Sequence, residues 1–155
     1  MIGLIQRVSE ASVAVEGEIV GRIGPGLAAL VAVQRGDATA QAVRLAERML
    51  AYRVFEDAAG RMNLDLTQVD GGILLVPQFT LAADTSKGNR PSLGRAADPE
   101  DGQQLFEALV DATRARWKKV ATGRFGANMD VSLVNRGPVT FWLEAKPAAV
   151  RKPDH

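Results

Sequence analysis

Over residues 6–20 apolar and polar positions alternate, with Val13 and Val15 before Glu16-Gly17 and Ile19 after it. That spacing predicts a hairpin with one buried face. The next segment, residues 26–33 (GLAALVAV), is continuously apolar, which predicts a strand covered on both sides, and Arg35-Gly36-Asp37 then turns the chain into a helix. Over residues 38–51, Val43, Ala46, Met49 and Leu50 share one helical face. Residues 52–55 read as a short strand, 56–60 as a loop, and 73–76 as a buried strand after Asp70-Gly71-Gly72.

Residues 85–92 (TSKGNRPS) are too rich in Gly, Pro and polar side chains for a packed element, and a long loop inside a compact domain is often functional. Asp98 is placed to cap a second helix, Pro99 suits its first turn, and Glu100 and Asp101 favour the positive end of its dipole. Leu105, Phe106, Leu109, Val110 and Ala112 would form its core face. Two last strands, 131–134 and 139–143, flank Asn135-Arg136-Gly137-Pro138. Several strands with two intercalated helices and no internal repeat predict one α/β domain, with sheet layers and both helices on one side. The domain is expected over residues 1–146, with a flexible Pro/Ala/Lys tail at 147–155.

The chain has 155 residues, 46% of them hydrophobic, enough for one core. No apolar run approaches the roughly 18 residues that cross a bilayer, and the first residues lack the basic flank and cleavage site of a signal peptide. The expectation is a soluble cytoplasmic protein without a membrane partner. There is no cysteine, and the single histidine is His155, the last residue. Ser-His-Asp and Cys-His catalysis and histidine- or thiolate-based metal sites are therefore excluded by inventory, and no metal or cofactor is expected. An enzyme here must work with backbone groups, hydroxyls, carboxylates, Lys/Arg or its substrate. A net charge of +1 does not mark a strongly basic nucleic-acid binder, although it allows local basic patches.

Gln78-Phe79-Thr80-Leu81 stands just beyond the buried strand at 73–76, where a strand end opening into a loop leaves backbone amides fixed and accessible. By themselves these residues are better read as structural, with Phe79 and Leu81 in the core and Thr80 a turn hydroxyl. Gly137-Pro138 reads from the residues as an ordinary trans turn, since only about one X-Pro bond in twenty is cis. A cis bond would instead turn neighbouring carbonyls the same way, as a rigid pair of acceptors. Lys87 and Arg90, and the cations and aromatics over residues 117–126, fit either phosphate contact or solvated surface charge.

Four strings in this order, Gln78-Phe79-Thr80-Leu81, Lys87-Gly88-Asn89-Arg90-Pro91-Ser92, Gly123-Arg124-Phe125-Gly126-Ala127 and Asn135-Arg136-Gly137-Pro138-Val139-Thr140, resemble the D-aminoacyl-tRNA deacylase family. The resemblance extends from Ile5-Gln6-Arg7-Val8 to Phe141-Trp142-Leu143-Glu144. It implies a single domain of β/β/α layers, and hydrolysis of the ester between a D-amino acid and the 3′ end of tRNA. It also implies a homodimer in which Gly137 and Pro138 of one subunit, as a Gly-cis-Pro element, enter the other's pocket. Gln78, Phe79 and Thr80 match the pocket lining, Arg7 an arginine that supports the inserted element, and Phe125 and Met129 residues near the terminal adenosine. Pro77 stands where the family usually has serine, and Arg136 replaces the usual acidic residue before the glycine.

In this reading the backbone N–H groups of Phe79 and Thr80 are the oxyanion donors, a contribution worth roughly 3–4 kcal/mol in comparable steps. Thr80 could instead act as a nucleophile, but without a histidine or lysine base its hydroxyl would be poorly activated, so assistance by the tRNA's own terminal ribose hydroxyl is the better expectation. The Gly137 and Pro138 carbonyls would orient the substrate amine so that an L side chain strikes backbone. Glycine has no side chain to exclude, so glycyl-tRNA mischarged on tRNA(Ala) is an expected second substrate. A deacylase for a small L-amino acid, or a noncatalytic RNA-binding dimer, are the alternatives.

Overall fold

The alternation at the start of the chain folds as a long strand β1 (Ile2–Val15) and its hairpin partner β2 (Glu18–Ile23), joined through Glu16 and Gly17, both at positive φ. In this computed structural model, which describes residues 1–148, the apolar run follows as β3 (Gly26–Ala32). After α1 (Thr39–Ala51) come a small antiparallel pair, β4 (Phe55–Glu56) and β5 (Met62–Leu64), and then β6 (Gly72–Pro77). A single 3₁₀ turn (Phe79–Ala82) leads to an irregular loop, α2 (Pro99–Arg114), β7 (Val120–Thr122) and β8 (Asp130–Glu144).

The main sheet runs β2-β1-β3-β6-β7, with β8 antiparallel to β1 along almost all of its length. The first half of β1 pairs with β3 and the second half with β2, so the strand serves two parts of a strongly curled sheet. The curl brings β2 back over β7, where a Cβ on Gly21 would lie 2.5 Å from the Thr122 carbonyl oxygen. Side chains of β3 and β6 alternate between two cores. Leu27, Ala29, Val31, Ile73 and Leu75 face the helices with Leu45, Met49 and Leu109. Ala28, Leu74 and Val76 face the curled-over layer with Val8, Val13 and Ile23. Both faces being covered is the physical reason these two strands are apolar without alternation. The result is the β/β/α layering expected, with both helices on one side.

Three local expectations are corrected. Residues 52–55 are not a strand: pairing begins only at Phe55, where β5 offers a partner. The carboxylate of Asp98 does not cap α2, because its Oδ1 pairs with Arg35 Nη2 at 3.2 Å instead. The strands expected at 131–134 and 139–143 are one strand, β8, since β1 continues beside them and supplies a ladder across the interruption. On α1 the buried stripe is Ala42, Leu45, Ala46, Met49 and Leu50, with Val43 at its margin. Strand β7 had no distinct signal in a segment conspicuous for its cations. Residues 149–155, most of the expected tail and His155 with it, lie outside the described residues. No helix among the described residues is long and apolar enough to cross a membrane.

Candidate functional site

Where the parallel strands β3 and β6 end, a cavity of about 740 Å³ opens between the sheet, the start of α2 and residues 125–131. Gln78, Phe79, Phe125 and Met129 all line it. Its position follows from the parallel pairing: β6 ends at Pro77 beside Val31, and Gln78 N–H donates to the Val31 carbonyl at 2.7 Å, which aims the next residues across the strand ends. The chain then tightens into the 3₁₀ turn. Its first closing bond is Leu81 N–H to Gln78 O at 3.2 Å, so the Phe79 and Thr80 N–H groups precede any carbonyl the turn could offer them. No other acceptor engages them among the described residues.

The Gln78 side-chain amide donates to the Thr80 hydroxyl oxygen, which leaves the hydroxyl proton free to be donated outward. Phe79 stands at the rim with 58% of its surface exposed. Opposite, Phe125 packs against Phe106 of α2 with ring centroids 6.3 Å apart. Gly102 lets the ring sit close to the helix, since a Cβ there would lie 3.3 Å from Phe125 Cζ and the ring would have to give by a few tenths of an ångström. A glycine inside a helix costs about 1 kcal/mol relative to alanine, and that cost is the signal in the sequence that this position has a packing reason to be glycine. Met129 is held over the main chain: Arg124 N–H points at its sulfur at 3.3 Å, and a Cβ on Gly123 would come within 2.8 Å of that sulfur.

Among the described residues the cavity lining contains no ionisable side chain, and its polarity comes from backbone groups, Gln78 and Asn128. No cluster of three or more metal-ligating residues occurs among the described residues.

Thr80 does not line this cavity as expected: it is exposed in the 3₁₀ turn just past the rim residue Phe79, and Arg7, Gly137 and Pro138 lie outside the cavity as well. Gln6 pairs with Thr140 and Val8 with Asn135, so residues 136–139 of β8 stand opposite Arg7 alone. The surplus leaves the ladder as a projection in which Arg136, Gly137 and Pro138 are exposed. The Gly137–Pro138 bond is cis, unlike the trans turn that the residues alone favour. Arg7 holds the base of the projection: its Nε donates to the Arg136 carbonyl at 2.9 Å and its Nη1 to the Val54 carbonyl at 2.8 Å. On the far side Asn135 Oδ1 accepts from Val139 N–H at 2.8 Å, while Asn135 Nδ2 donates to Thr140 Oγ1 at 2.9 Å. No local pattern in the sequence assigns Asn135 this role, and its place at the foot of the projection emerges only from the pairing. Gly137 has φ +136°, and a Cβ there would press on Val139 and on Arg7 Nη2.

Residues 4–144 match the family model described as D-Tyr-tRNA(Tyr) deacylase. A protein of Thioalkalivibrio sulfidiphilus named D-aminoacyl-tRNA deacylase is 64% identical over 147 residues, covering 95% of this chain and 99% of its own. One of the same name from Methylococcus capsulatus is 63% identical, covering 95% and 96%. Among solved structures, one described as c-Myc DNA Unwinding Element Binding Protein superposes with a TM-score of 0.90 at 34% identity, covering 96% of this chain and all of that one. Another, described as a probable eukaryotic D-amino acid tRNA deacylase, has a TM-score of 0.79 at 18% identity and covers 92% and 98%, a likeness of fold.

Proposed function

The chain belongs to the D-aminoacyl-tRNA deacylase family and hydrolyses the ester of D-aminoacyl-tRNA, and we propose that it does so in the cavity beside Gln78-Phe79-Thr80, completed by Gly137-Pro138 of a second subunit. The observation that carries this is the division within one chain between an uncharged pocket and an exposed main-chain projection that does not line it. In a homodimer the projection of each subunit enters the cavity of the other. Among the described residues the outer edge of β8 is unpaired, and Val131, Val134 and Trp142 are exposed along it, a surface of the kind that association covers.

The terminal adenosine lies between Phe125 and Met129, and the ester carbonyl points at the free N–H groups of Phe79 and Thr80. Water adds to the carbonyl carbon, the resulting oxyanion accepts hydrogen bonds from those amides, and the ribose 3′-oxygen leaves with a proton relayed by the neighbouring 2′-hydroxyl. The uncharged lining supports substrate assistance, since no side chain there serves as a base. The partner's Gly137 and Pro138 carbonyls receive the α-ammonium group, and the main chain behind them obstructs an L side chain. Glycyl-tRNA, with nothing to obstruct, is a second substrate. The cytoplasm, where tRNA is charged, is the proposed place of work.

Subunit complementation tests the shared site. Gly137→Ala damages the projection and Phe79→Pro removes an oxyanion N–H, so each homodimer should be nearly inactive. Mixed dimers should regain activity, because one of their two sites combines an intact pocket with an intact projection. Heterodimers that form and stay as inactive as either parent would refute the cross-subunit site.

A further inference from the structure

The segment between the 3₁₀ turn and α2 is long and irregular, yet it is tied down. Asp84 and Ser92 exchange backbone hydrogen bonds at 2.8 and 2.9 Å, which closes residues 85–91 into a tip. Asp84 Oδ1 also accepts from Ser86 N–H at 3.0 Å, and Asp84 Oδ2 lies 3.6 Å from Arg95. Below the tip, Arg35 N–H donates to Arg95 O at 2.9 Å and Ala97 N–H to Val33 O at 3.1 Å. Ala82 and Ala96 are buried together against Ile2 and Ala32. Both feet of the loop stand at the cavity: Phe79 precedes it, Ala97 ends it, and each lines the wall.

Charge is distributed unevenly along this arm. Arg95 faces Asp84 and Arg35 faces Asp98, whereas Lys87 and Arg90, at the exposed tip, meet no carboxylate among the described residues. Residues 85–97 contain no acidic side chain to compensate them. At the other end of the sheet, Lys118 and Lys119 make an equally basic pair, but both lie within 4 Å of the Asp70 carboxylate, at 3.8 and 2.8 Å. An uncharged cavity suits an aminoacyl-nucleoside and leaves the phosphates that precede it outside, beside the arm.

We propose that the loop closed by Asp84 and Ser92 is a phosphate-binding arm, in which Lys87 and Arg90 hold the ribose-phosphate backbone of the single-stranded 3′ end whose last residue occupies the cavity. This rests on the deacylase site placed at that cavity. The arm supplies affinity and register and takes no part in ester cleavage.

The test compares D-Tyr-tRNA with D-tyrosyl-adenosine, which carries no phosphate, on the wild-type protein and on the Lys87→Ala/Arg90→Ala double variant. Each single-strand phosphate contact contributes a slope of about 0.7 in log K against log salt, so two contacts weaken binding about sevenfold between 50 and 200 mM. The wild type should therefore lose about sevenfold more kcat/KM on D-Tyr-tRNA over that range than the double variant does. At low salt the variant's defect should lie in KM and spare kcat, D-tyrosyl-adenosine should be cleaved equally by both, and Lys87→Arg/Arg90→Lys should keep the wild-type slope. Lys118→Ala/Lys119→Ala, with the same change in net charge, should leave the slope unchanged. Equal slopes for the wild type and the arm variant, or an equal loss from the Lys118/Lys119 variant, would overturn the arm while leaving the deacylase site standing. Failure of the wild type to cleave either substrate would instead remove the site on which the arm depends.

Discussion

The pocket at Gln78-Phe79-Thr80 and the projection at Gly137-Pro138 are built by opposite means. The pocket forms where a regular parallel pair ends and its walls come from four separate parts of the chain, Val31, Phe79, Gly102 and Phe125 among them. The projection forms where a regular antiparallel pair is interrupted by surplus residues, and it is held by two side chains, Arg7 and Asn135. In the proposed reaction both act through main-chain groups, N–H groups in one and carbonyls in the other. Recognition by fixed backbone dipoles needs no pKa tuning, and in return it depends on position to within a fraction of an ångström.

Displacing the projection should therefore give the largest effect. Gly137→Ala places a Cβ against Val139 and Arg7 at a φ that disfavours side chains, and a displacement near 1 Å costs on the order of 100-fold in rate. Steady-state kcat/KM on D-Tyr-tRNA should fall by about that factor while adenosine binding, read by calorimetry, is retained. Loss of adenosine binding as well would merge the two regions into one.

Arg7→Ala removes two charge-assisted hydrogen bonds to carbonyls, each worth about 1.5–3 kcal/mol. Activity should drop roughly tenfold to 100-fold and urea stability by a few kcal/mol, with Arg7→Lys recovering only part, since an ammonium does not bridge two carbonyls as a guanidinium does. Full activity in Arg7→Ala would show that the projection holds itself.

On the pocket side, Gly123→Ala should push the Met129 side chain off its seat. The obstructed atom is the flexible end of a methionine, so the fold should survive with a change in melting temperature of a few degrees, while KM rises several-fold and kcat stays close to wild type. A change confined to kcat would separate Met129 from the nucleoside. Thr80→Val keeps the backbone N–H and deletes the hydroxyl, so kcat should fall no more than about tenfold, against roughly 100-fold or more for losing an oxyanion donor. Complete inactivity with intact folding would make Thr80 the nucleophile. A 2′-deoxyadenosine-ended substrate should bind and turn over slowly.

The smallest effect distinguishes the two regions by pH. Asp84 is held below the usual carboxylate range chiefly by the Ser86 side-chain hydrogen bond, then by the Ser86 backbone N–H, with Arg95 adding to it. A depressed folded-state value means the contribution is complete above the ordinary aspartate range and is lost as pH falls through the lowered value. The protection of the Ser86 amide, its exchange rate relative to that of an unprotected amide at the same pH, should therefore fall in acid, while Val139 N–H, held by an amide side chain, should show no matching transition.

Much of the scaffold was legible from short-range pattern. The Glu16-Gly17 hairpin, the two apolar strands and the two helices follow from periodicity and turn chemistry, which act within a few residues and survive in any context. The strings carrying Gln78, Phe79, Thr80, Gly137 and Pro138 were visible as strings. Where neighbouring strands decide, sequence was less informative: β8 is continuous only because β1 runs beside it, and β7 exists because β6 offers an edge. Asp98 turned from a helix cap into a partner of Arg35 for the same reason, a contact 63 residues away in the chain. The chain by itself determined which residues are apolar, where it turns, and that no cysteine chemistry is available. Tertiary structure alone decided that Gly102 and Phe125 share a wall, that Arg7 reaches Arg136, and that the projection does not line its own chain's pocket. Those facts are distances between segments far apart in sequence, and no local propensity encodes them.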